Sequence, residues 1–493
     1  MELYHYRSIN AAVKEIQSCT FRFAAKEELN DPIEGYVRVY WKGDKQAWEG
    51  LFRNYICSFY NALTLYLLAA DENEIRNKSV MIDVHAFDDL PLGKILKDIR
   101  KKLLSDIDIK KFVNLYGEGE RECSIDELSL ILNYIHVKVV KICMEEQRDH
   151  GFIPKEEADG VLVNYCSIDF PPFPFEALDN RIMDSGSFRI FTKLAISKLK
   201  DVVTGKILEL GIGGNVFLYG NTVKEGDDGE RVLWDENKQR RKWLSLMFDY
   251  PQIYINRLRD MIYPESFIVC FSGKNNNSTM WGNYADSHRG VCLIYETDDS
   301  GNLLICSDNS INSSVQKKYH YRKIKPERVQ YGGNLIERNF FETFGRLTFK
   351  QIKSWLTGED GTESKYIKKI MENLEAWRKS YWEAFKKKNY TKLDSWEYED
   401  EYRIHVDNSF QEYGSSQEDR IIRYNPDCLK GIIFGINTSE FDRLRILKAF
   451  LERKVEEEDG NSDNIDFYQA IYDEDTQSIN IRKMQLLKLK ATS

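Results

Sequence analysis

SWEYEDEYRIHV, residues 395–406, is the stretch on which the fold turns. Read as a β-strand, whose side chains alternate between two faces, it puts Glu397, Glu399, Glu401 and Arg403 on one side. Trp396, Tyr398, Tyr402 and Ile404 then lie largely on the other. Three carboxylates beside one guanidinium make it costly to ionise all of them together, which is one way a site obtains a poised base or a charge-stabilising carboxylate. The same alternation also describes an edge strand with solvent-facing salt bridges, and spacing alone does not separate the two.

Outward from this segment, short β-branched and aromatic runs recur at SFIVCFS (266–272), GVCLIYE (290–296), KGIIFGI (430–436), FYQAIYD (467–473) and SINI (478–481). They are expected to join EYRIHV in one sheet. The opening residues 1–35 read as a strand (LYHYR), a helix (INAAVKEIQSC), a second strand (TFRFAA) and a turn at NDP. From 36 to 265 the periodicity becomes helical, as in 93–116 and 124–149, the latter opening on a capping box, Ser124 with Glu127. A Pro-rich loop, FPPFPF, falls at 170–175, and EEED at 456–459 reads as a solvated loop. The fold expected is α+β: a central, mostly antiparallel, split sheet in a discontinuous domain of 1–35 and 266–485, with a mainly helical insertion at 36–265. A helical segment at 335–390, with Phe340, Phe344, Leu347, Ile352 and Trp355 on its buried face, is expected within the discontinuous domain.

Four further segments carry candidate chemistry. In LYHYRS (3–8) alternation sets His5 and Arg7 opposite Tyr4 and Tyr6, and two polar residues on one side of a buried strand ask for a ligand or partner; the planar fork of Arg7 suits a phosphate. In LNDPIEG (29–35), Asn30, Asp31 and Pro32 make a turn, while Asp31 and Glu34 are also placed to face a pocket. TMWGNYADSHRG (279–290) sets Trp281, Tyr284, Ala285 and His288 on one helical face, able to stack a planar ligand but equally suited to core packing. KILELGIGGN (206–215) looks like a glycine-rich nucleotide turn, but no helix and acid-tipped strand follow it, so a methyltransferase is disfavoured.

Composition bounds the rest. A chain of 493 residues, 42% hydrophobic and 13% aromatic with ten prolines, is long enough for two or three folded domains. A formal charge of -9 and a pI near 5.6 argue against a general electrostatic grip on nucleic acid, and the basic runs KQRRK (238–242) and KKK (386–388) read as solvated helix faces. Nine cysteines without a CxxC pair, and no secretory opening, point to reduced thiols in the cytoplasm. No metal is expected from seven histidines without ligand spacing. The apolar stretch 51–70 is interrupted by Arg53, Asn54 and Asn61, so it is expected to be a buried helix and not a membrane span.

Taken together, the segments at 3–8, 29–35, 270–296 and 395–406, with CLKGIIFGINTSEFDRLRIL (428–447) and FYQAIYDED (467–475), resemble a bacterial family catalogued as domain of unknown function 2971. The resemblance covers 1–35 and about 265–485. The helical stretch 36–265 departs from it, and implies a protein partner, a regulator or a target specificity. More distantly, the order of pieces is similar to ADP-ribosyltransferase-like domains. That resemblance implies a transferase fold, NAD consumed as a substrate, and a role as a toxin or anti-phage defence effector acting on a protein or nucleic-acid acceptor. It implies Glu401 and Glu399 as catalytic, His5 and Arg7 as cofactor-binding, and Trp281 or Tyr284 stacked on nicotinamide, with Asp31, Glu34, His288 and Arg403 as further site candidates. The alternatives are a non-catalytic ligand- or partner-binding sensor, and a phosphodiester hydrolase using Mg²⁺ with Asp31 and Glu34.

Overall fold

The computed structural model describes residues 1–68, 80–164, 245–306, 320–333, 335–408, 416–453 and 465–485, with a few isolated positions between them. The Gly-rich segment 206–215, the EEED run, all of 170–175 but Phe173 and Phe175, and all of 238–242 but Lys242 lie outside the described residues. The chain divides into two compact units, one of Met1–Val37, Pro264–Ile336 and Glu383–Ser493, the other of Arg38–Tyr263 and Glu337–Trp382.

The first unit is built on an eight-stranded sheet. Its strands are β1 (Glu2–Arg7), β2 (Ser266–Ser272), β3 (Val291–Glu296), β4 (Glu327–Arg328), β5 (Glu401–Asp407), β6 (Leu429–Phe434), β7 (Asp466–Asp473) and β8 (Ser478–Lys483). They lie in the order β8-β7-β6-β3-β1-β2-β5-β4, with only β6 and β7 parallel, so the unit is α+β with a mostly antiparallel sheet. The strand runs expected from the sequence at 266–272, 290–296, 430–436, 467–473 and 478–481 all contribute to it.

Alternation gives the sheet two apolar faces. Leu3, Phe271, Leu293, Tyr295, Ile404 and Ile432 point to the side covered by α1 (Ile9–Ser18) and by α3 (Glu440–Leu451). Ile9, Ala12 and Ile16 of α1 are buried at helical spacing, and burying such an aliphatic side chain is worth about 1.5–3 kcal/mol. Tyr4, Tyr6, Cys292, Ile294 and Ile433 point to the opposite side, where they meet Trp281 of α2 (Ser278–Tyr284).

Two features of this sheet shape the site. First, the ladder between β1 and β2 consists of Tyr4 opposite Ser272; further along, β2 pairs with the segment after α1 instead, Ala24 bridging Ile268. Second, residues 395–406 are not one strand. Asp394–Glu399 form a 3₁₀ turn, Asp400 is left-handed (φ 44°), and β5 starts at Glu401. The turn is clamped from β2: Ser272 Oγ donates to Glu399 O at 2.6 Å, Gly273 N donates to Asp400 O at 2.8 Å, and Asn277 Nδ2 donates to Tyr398 O at 3.0 Å. A Cβ on Gly273 would stand 2.6 Å from Asp400 Oδ2, so a larger residue there would have to displace that carboxylate. Glu397 therefore faces solvent and does not join Glu399 and Glu401.

The second unit is helical. Its helix Lys45–Leu67, capped by Asp44, contains most of the apolar stretch 51–70 and is buried along its length. Two of its interrupting polar residues find backbone partners: Asn54 Nδ2 donates to Met81 O at 2.6 Å and Arg53 Nη2 to Ser354 O at 2.8 Å. No helix among the described residues is long and apolar enough to cross a membrane. The run at 93–116 is two helices, Pro91–Ser105 and Ile107–Gly117, because Asp106 caps the second by accepting from Asp108 N and Ile109 N. Helix Ile125–Asp149 opens on the capping box of Ser124 and Glu127. Phe340, Phe344, Ile352 and Trp355 are buried in this unit, with Leu347 half-buried.

Candidate functional site

A cavity of about 230 Å³ lies in the first unit, bordered by Tyr4–Arg7 of β1, Ile268–Ser272 of β2, the turn residues Leu29, Asn30 and Glu34, and Tyr284. Its charged wall is made by Glu34, Lys392, Glu399, Glu401 and Arg403. All five side chains are 5% exposed or less.

Arg403, two residues along β5 from Glu401 and so on the same face, holds that carboxylate with two bonds, Nε to Oε1 at 2.7 Å and Nη2 to Oε2 at 2.8 Å. Its Nη1 donates to Asn389 O at 2.6 Å. Lys392 comes from a two-residue strand, Thr391–Lys392, paired parallel with Gln330–Tyr331. Its Nζ lies 2.6 Å from Glu399 Oε2, 3.3 Å from Glu401 Oε2 and 3.6 Å from Glu34 Oε2. The same short ladder brings Tyr331, whose hydroxyl accepts from Glu401 N at 2.7 Å. Tyr284, from the end of α2, donates to Glu399 Oε1 at 2.5 Å and itself accepts from Asn30 Nδ2.

The electrostatics follow from this wiring. Burial pushes the Glu401 carboxyl up, but Arg403 and then Lys392 overcome it and hold it well below the ordinary carboxylate range. Burial likewise works against the Lys392 ammonium, and Glu401, Glu34 and Glu399 raise it above its usual value. Glu34 goes the other way, its carboxyl raised by burial more than Arg403 and Lys392 lower it. Burial and the Glu399 carboxylate push the Tyr284 phenol up, so it is a donor at neutral pH.

The structure brings Tyr284, Glu34, Glu399, Glu401 and Arg403 together. It does not bring His5 and Arg7 onto the same sheet face as Glu401. Register sets Tyr4, Ser272 and Glu401 abreast, so His5 lies on the other face, where its ring packs 5.0 Å from that of Phe271. There both polar residues meet Glu15 of α1: His5 Nδ1 stands 2.9 Å from Oε1, Arg7 Nε donates to Oε2 at 2.8 Å, and Tyr295 donates to Oε1 at 2.8 Å. His5 and Arg7 border the cavity, yet the partner that their strand position called for is internal. Burial and then Arg7 keep the His5 imidazole below its usual pKa.

Trp281 is not free to stack on a ligand. It is fully buried, edge-on to Tyr6 at 5.1 Å, and its indole N–H donates to Asn275 O at 2.8 Å. The helix expected through 279–288 stops at Tyr284, and Asp286, Ser287 and His288 form a left-handed turn with φ of 47°, 53° and 66°. His288 O in that turn accepts from Asn437 N at 3.0 Å, and a Cβ on Gly435 would come within 2.2 Å of it. His288 therefore docks the turn beside its neighbour strand, away from the cavity lining. Asp31 is buried and closes its own turn, accepting from Ile33 N at 2.9 Å. Among the described residues no three His, Cys, Asp or Glu side chains are grouped to hold a metal ion.

Sequence reasoning missed Lys392, Tyr331 and Glu15. Glu15 had a signal, a carboxylate on the otherwise apolar face of α1. Lys392 and Tyr331 had none, because each owes its place to a two-residue ladder formed at long range.

Residues 280–404 match a family model described as a protein of unknown function, DUF2971. The match takes in Tyr284, Lys392, Glu399, Glu401 and Arg403, and stops short of Glu34 and β1. No curated protein and no solved structure matches the chain.

Proposed function

We propose that this cleft is a carboxylate-centred site for a dinucleotide such as NAD, and that the protein is an ADP-ribosyltransferase-like, NAD-consuming enzyme. The observation that carries the reading is a buried cluster of three glutamates, a lysine and an arginine lining an open cavity. Each ion costs several kcal/mol to desolvate, and apolar residues of equal volume are commonly at least as stabilising. Five such groups around a cavity are better explained by work on a ligand than by stability.

In this reading the bond between ribose and nicotinamide breaks, its electron pair leaving with the ring nitrogen, and positive charge develops on the ribose. An acceptor oxygen or nitrogen then bonds to the ribose carbon and gives up its proton to solvent. A fixed carboxylate that grips a ribose hydroxyl stabilises that charge. Glu399 suits this role better than Glu401. A carboxylate offers about four acceptor positions. Glu399 uses two, for Tyr284 and Lys392, whereas both Glu401 oxygens are taken by Arg403 and one also by Lys392. Glu401 anchors the cluster and adds its field, and Arg22 at the cavity border supplies positive charge for the pyrophosphate.

The test is release of nicotinamide from labelled NAD by the purified full chain, with and without a cell lysate as source of acceptor. Turnover that falls at least about 100-fold in Glu399→Gln, in a variant that circular dichroism shows folded, supports the reading. No release from the wild-type chain under either condition removes it.

A non-catalytic ligand-binding role is favoured by one observation, that the cations of the cluster are already paired internally. It predicts saturable binding of NAD without release of nicotinamide.

A further inference from the structure

We propose that His5 is the proton acceptor of this cavity and that Glu15 positions it, leaving Nε2 of the imidazole free to take a proton from a hydroxyl or amine of a bound ligand. The first ground is the wiring of the ring. Burial raises the Glu15 carboxyl, but Arg7 and His5 overcome this and hold it at about 2, so Glu15 is a carboxylate and can only accept. The ring proton therefore sits on Nδ1, which donates to Glu15 Oε1 at 2.9 Å, and Nε2 keeps its lone pair. Nε2 has no hydrogen-bond partner among the described residues, and it is not sealed in the interior as His405 Nε2 and His288 Nδ1 are. Glu15 is itself fixed, with Arg7 Nε donating to Oε2 and Tyr295 to Oε1, each at 2.8 Å. An imidazole held by a carboxylate that is held in turn is oriented for proton transfer.

The second ground is the course of the cavity through the sheet. β1 and β2 are joined at Tyr4 and Ser272, and β2 is next bridged at Ile268 by Ala24. Between these junctions the cavity is bordered by Tyr4, Tyr6 and Tyr284 from one face and by His5 and Phe271 from the other. One ligand can thus meet Glu399 and His5, although they belong to opposite faces. The groups facing the imidazole are Glu15 of α1, Arg7 of its own strand, and the rings of Phe21, Phe271 and Tyr295. Burial and then Arg7 keep it below its usual pKa, so it is uncharged at pH 7, the form that accepts a proton.

The catalytic use of His5 rests on the NAD reading above; its orientation by Glu15 does not. As the nicotinamide leaves with its electron pair, the acceptor oxygen or nitrogen bonds to the ribose carbon, and the proton it gives up goes to His5 Nε2 and from there to solvent. Breaking the nicotinamide bond releases no proton, so transfer needs this base and cleavage does not.

Two measurements test the two parts. ¹⁵N-NMR of the full chain labelled at histidine, with the His5 signals assigned by their loss in His5→Asn, is expected to show Nδ1 protonated and Nε2 bare at pH 7. Nε2 protonated at pH 7 overturns the proposal. His5→Asn keeps an N–H₂ group where Nδ1 stands, so it is expected to fold; His5→Gln serves in its place if it does not, and failure of both to fold overturns the proposal. With labelled NAD and a cell lysate, the folded variant is expected to lower transfer of label to acid-insoluble acceptor at least about 100-fold while nicotinamide is released at close to the wild-type rate. Glu399→Gln lowers both. An equal fall in transfer and release makes His5 merely structural and overturns the proposal, as does unchanged transfer, or release without any transfer by the wild type. No release by any form, with the NMR result as expected, removes the NAD reading and leaves His5 oriented by Glu15.

Discussion

Replacing Glu401 by glutamine perturbs the cluster at its centre, and the structure sets the size of the effect. The carboxylate takes Arg403 through both oxygens, at 2.7 and 2.8 Å, with Lys392 at 3.3 Å. The amide keeps one acceptor and turns an N–H₂ group toward donors, so a guanidinium whose side chain is 1% exposed loses half of its pairing. Breaking one partner of a buried ion pair costs about 3–5 kcal/mol. The Glu34 carboxyl, which also stands against Arg403, is still there to pair with it, which places the expected loss near 3 kcal/mol, at the low end of that range. Peptide-resolved hydrogen exchange reads this locally, as lower protection in β2 and β5, where Glu401 and Arg403 lie opposite Ser272 and Cys270. Glu397→Gln, at an exposed position in the preceding turn, is the control and should change protection by under about 0.5 kcal/mol. The double variant Arg403→Met with Glu401→Leu should lose less than the sum of the single changes, because it leaves no unpaired charge. A loss under about 1 kcal/mol in Glu401→Gln would refute the reasoning, since it is the size expected of a screened surface pair.

Three further outcomes follow from the same structure. Glu15, held by Arg7 and His5 against the effect of burial, has its carboxyl lowered to about 2. A depressed acid stabilises the fold above its ordinary value and loses that stability as pH falls through the window down to about 2. Glu15→Gln should therefore lower stability at pH 7 by roughly 3 kcal/mol and flatten its acid dependence, measured as urea midpoints between pH 7 and pH 2. Tyr284→Phe removes the hydroxyl that donates to Glu399 and accepts from Asn30, and should cost about 0.5–1.5 kcal/mol of stability by thermal denaturation while lowering turnover of NAD more than it changes binding. Gly435→Ala would press a methyl group to 2.2 Å from His288 O and should destabilise by about 1–3 kcal/mol in the same assay, whereas Gly282→Ala, with open space around it, should not.

How much of this was legible in the sequence depended on the range of the forces involved. Strands β2, β3, β6, β7 and β8 announced themselves through local alternation, and the cap at Ser124 acts within one helical turn, whereas the break that Asp106 makes in the run 93–116 went unread. Alternation also separated His5 and Arg7 correctly from Tyr4 and Tyr6. It could not say which sheet face β5 would share with them, because that is set by the single pair Tyr4 and Ser272 between β1 and β2. Periodicity failed at 395–400 for a physical reason: the left-handed Asp400 is held by Gly273 and by Arg328, more than 70 residues away in the chain. It failed again at 285–288, where the chain turns left-handed to dock beside Gly435. Within the site, Glu34, Tyr284, Glu399, Glu401 and Arg403 were all candidates by residue type, while Lys392 became visible only through its distances to three of them.

The most direct measurement is the stoichiometric release of nicotinamide when purified full chain is mixed with NAD, followed by chromatography in wild type and Glu399→Gln side by side. Release by the wild type, abolished in a folded Glu399→Gln, is the result expected of a carboxylate-centred NAD site. Equal release by both, or none by the wild type with or without an acceptor source, would contradict it.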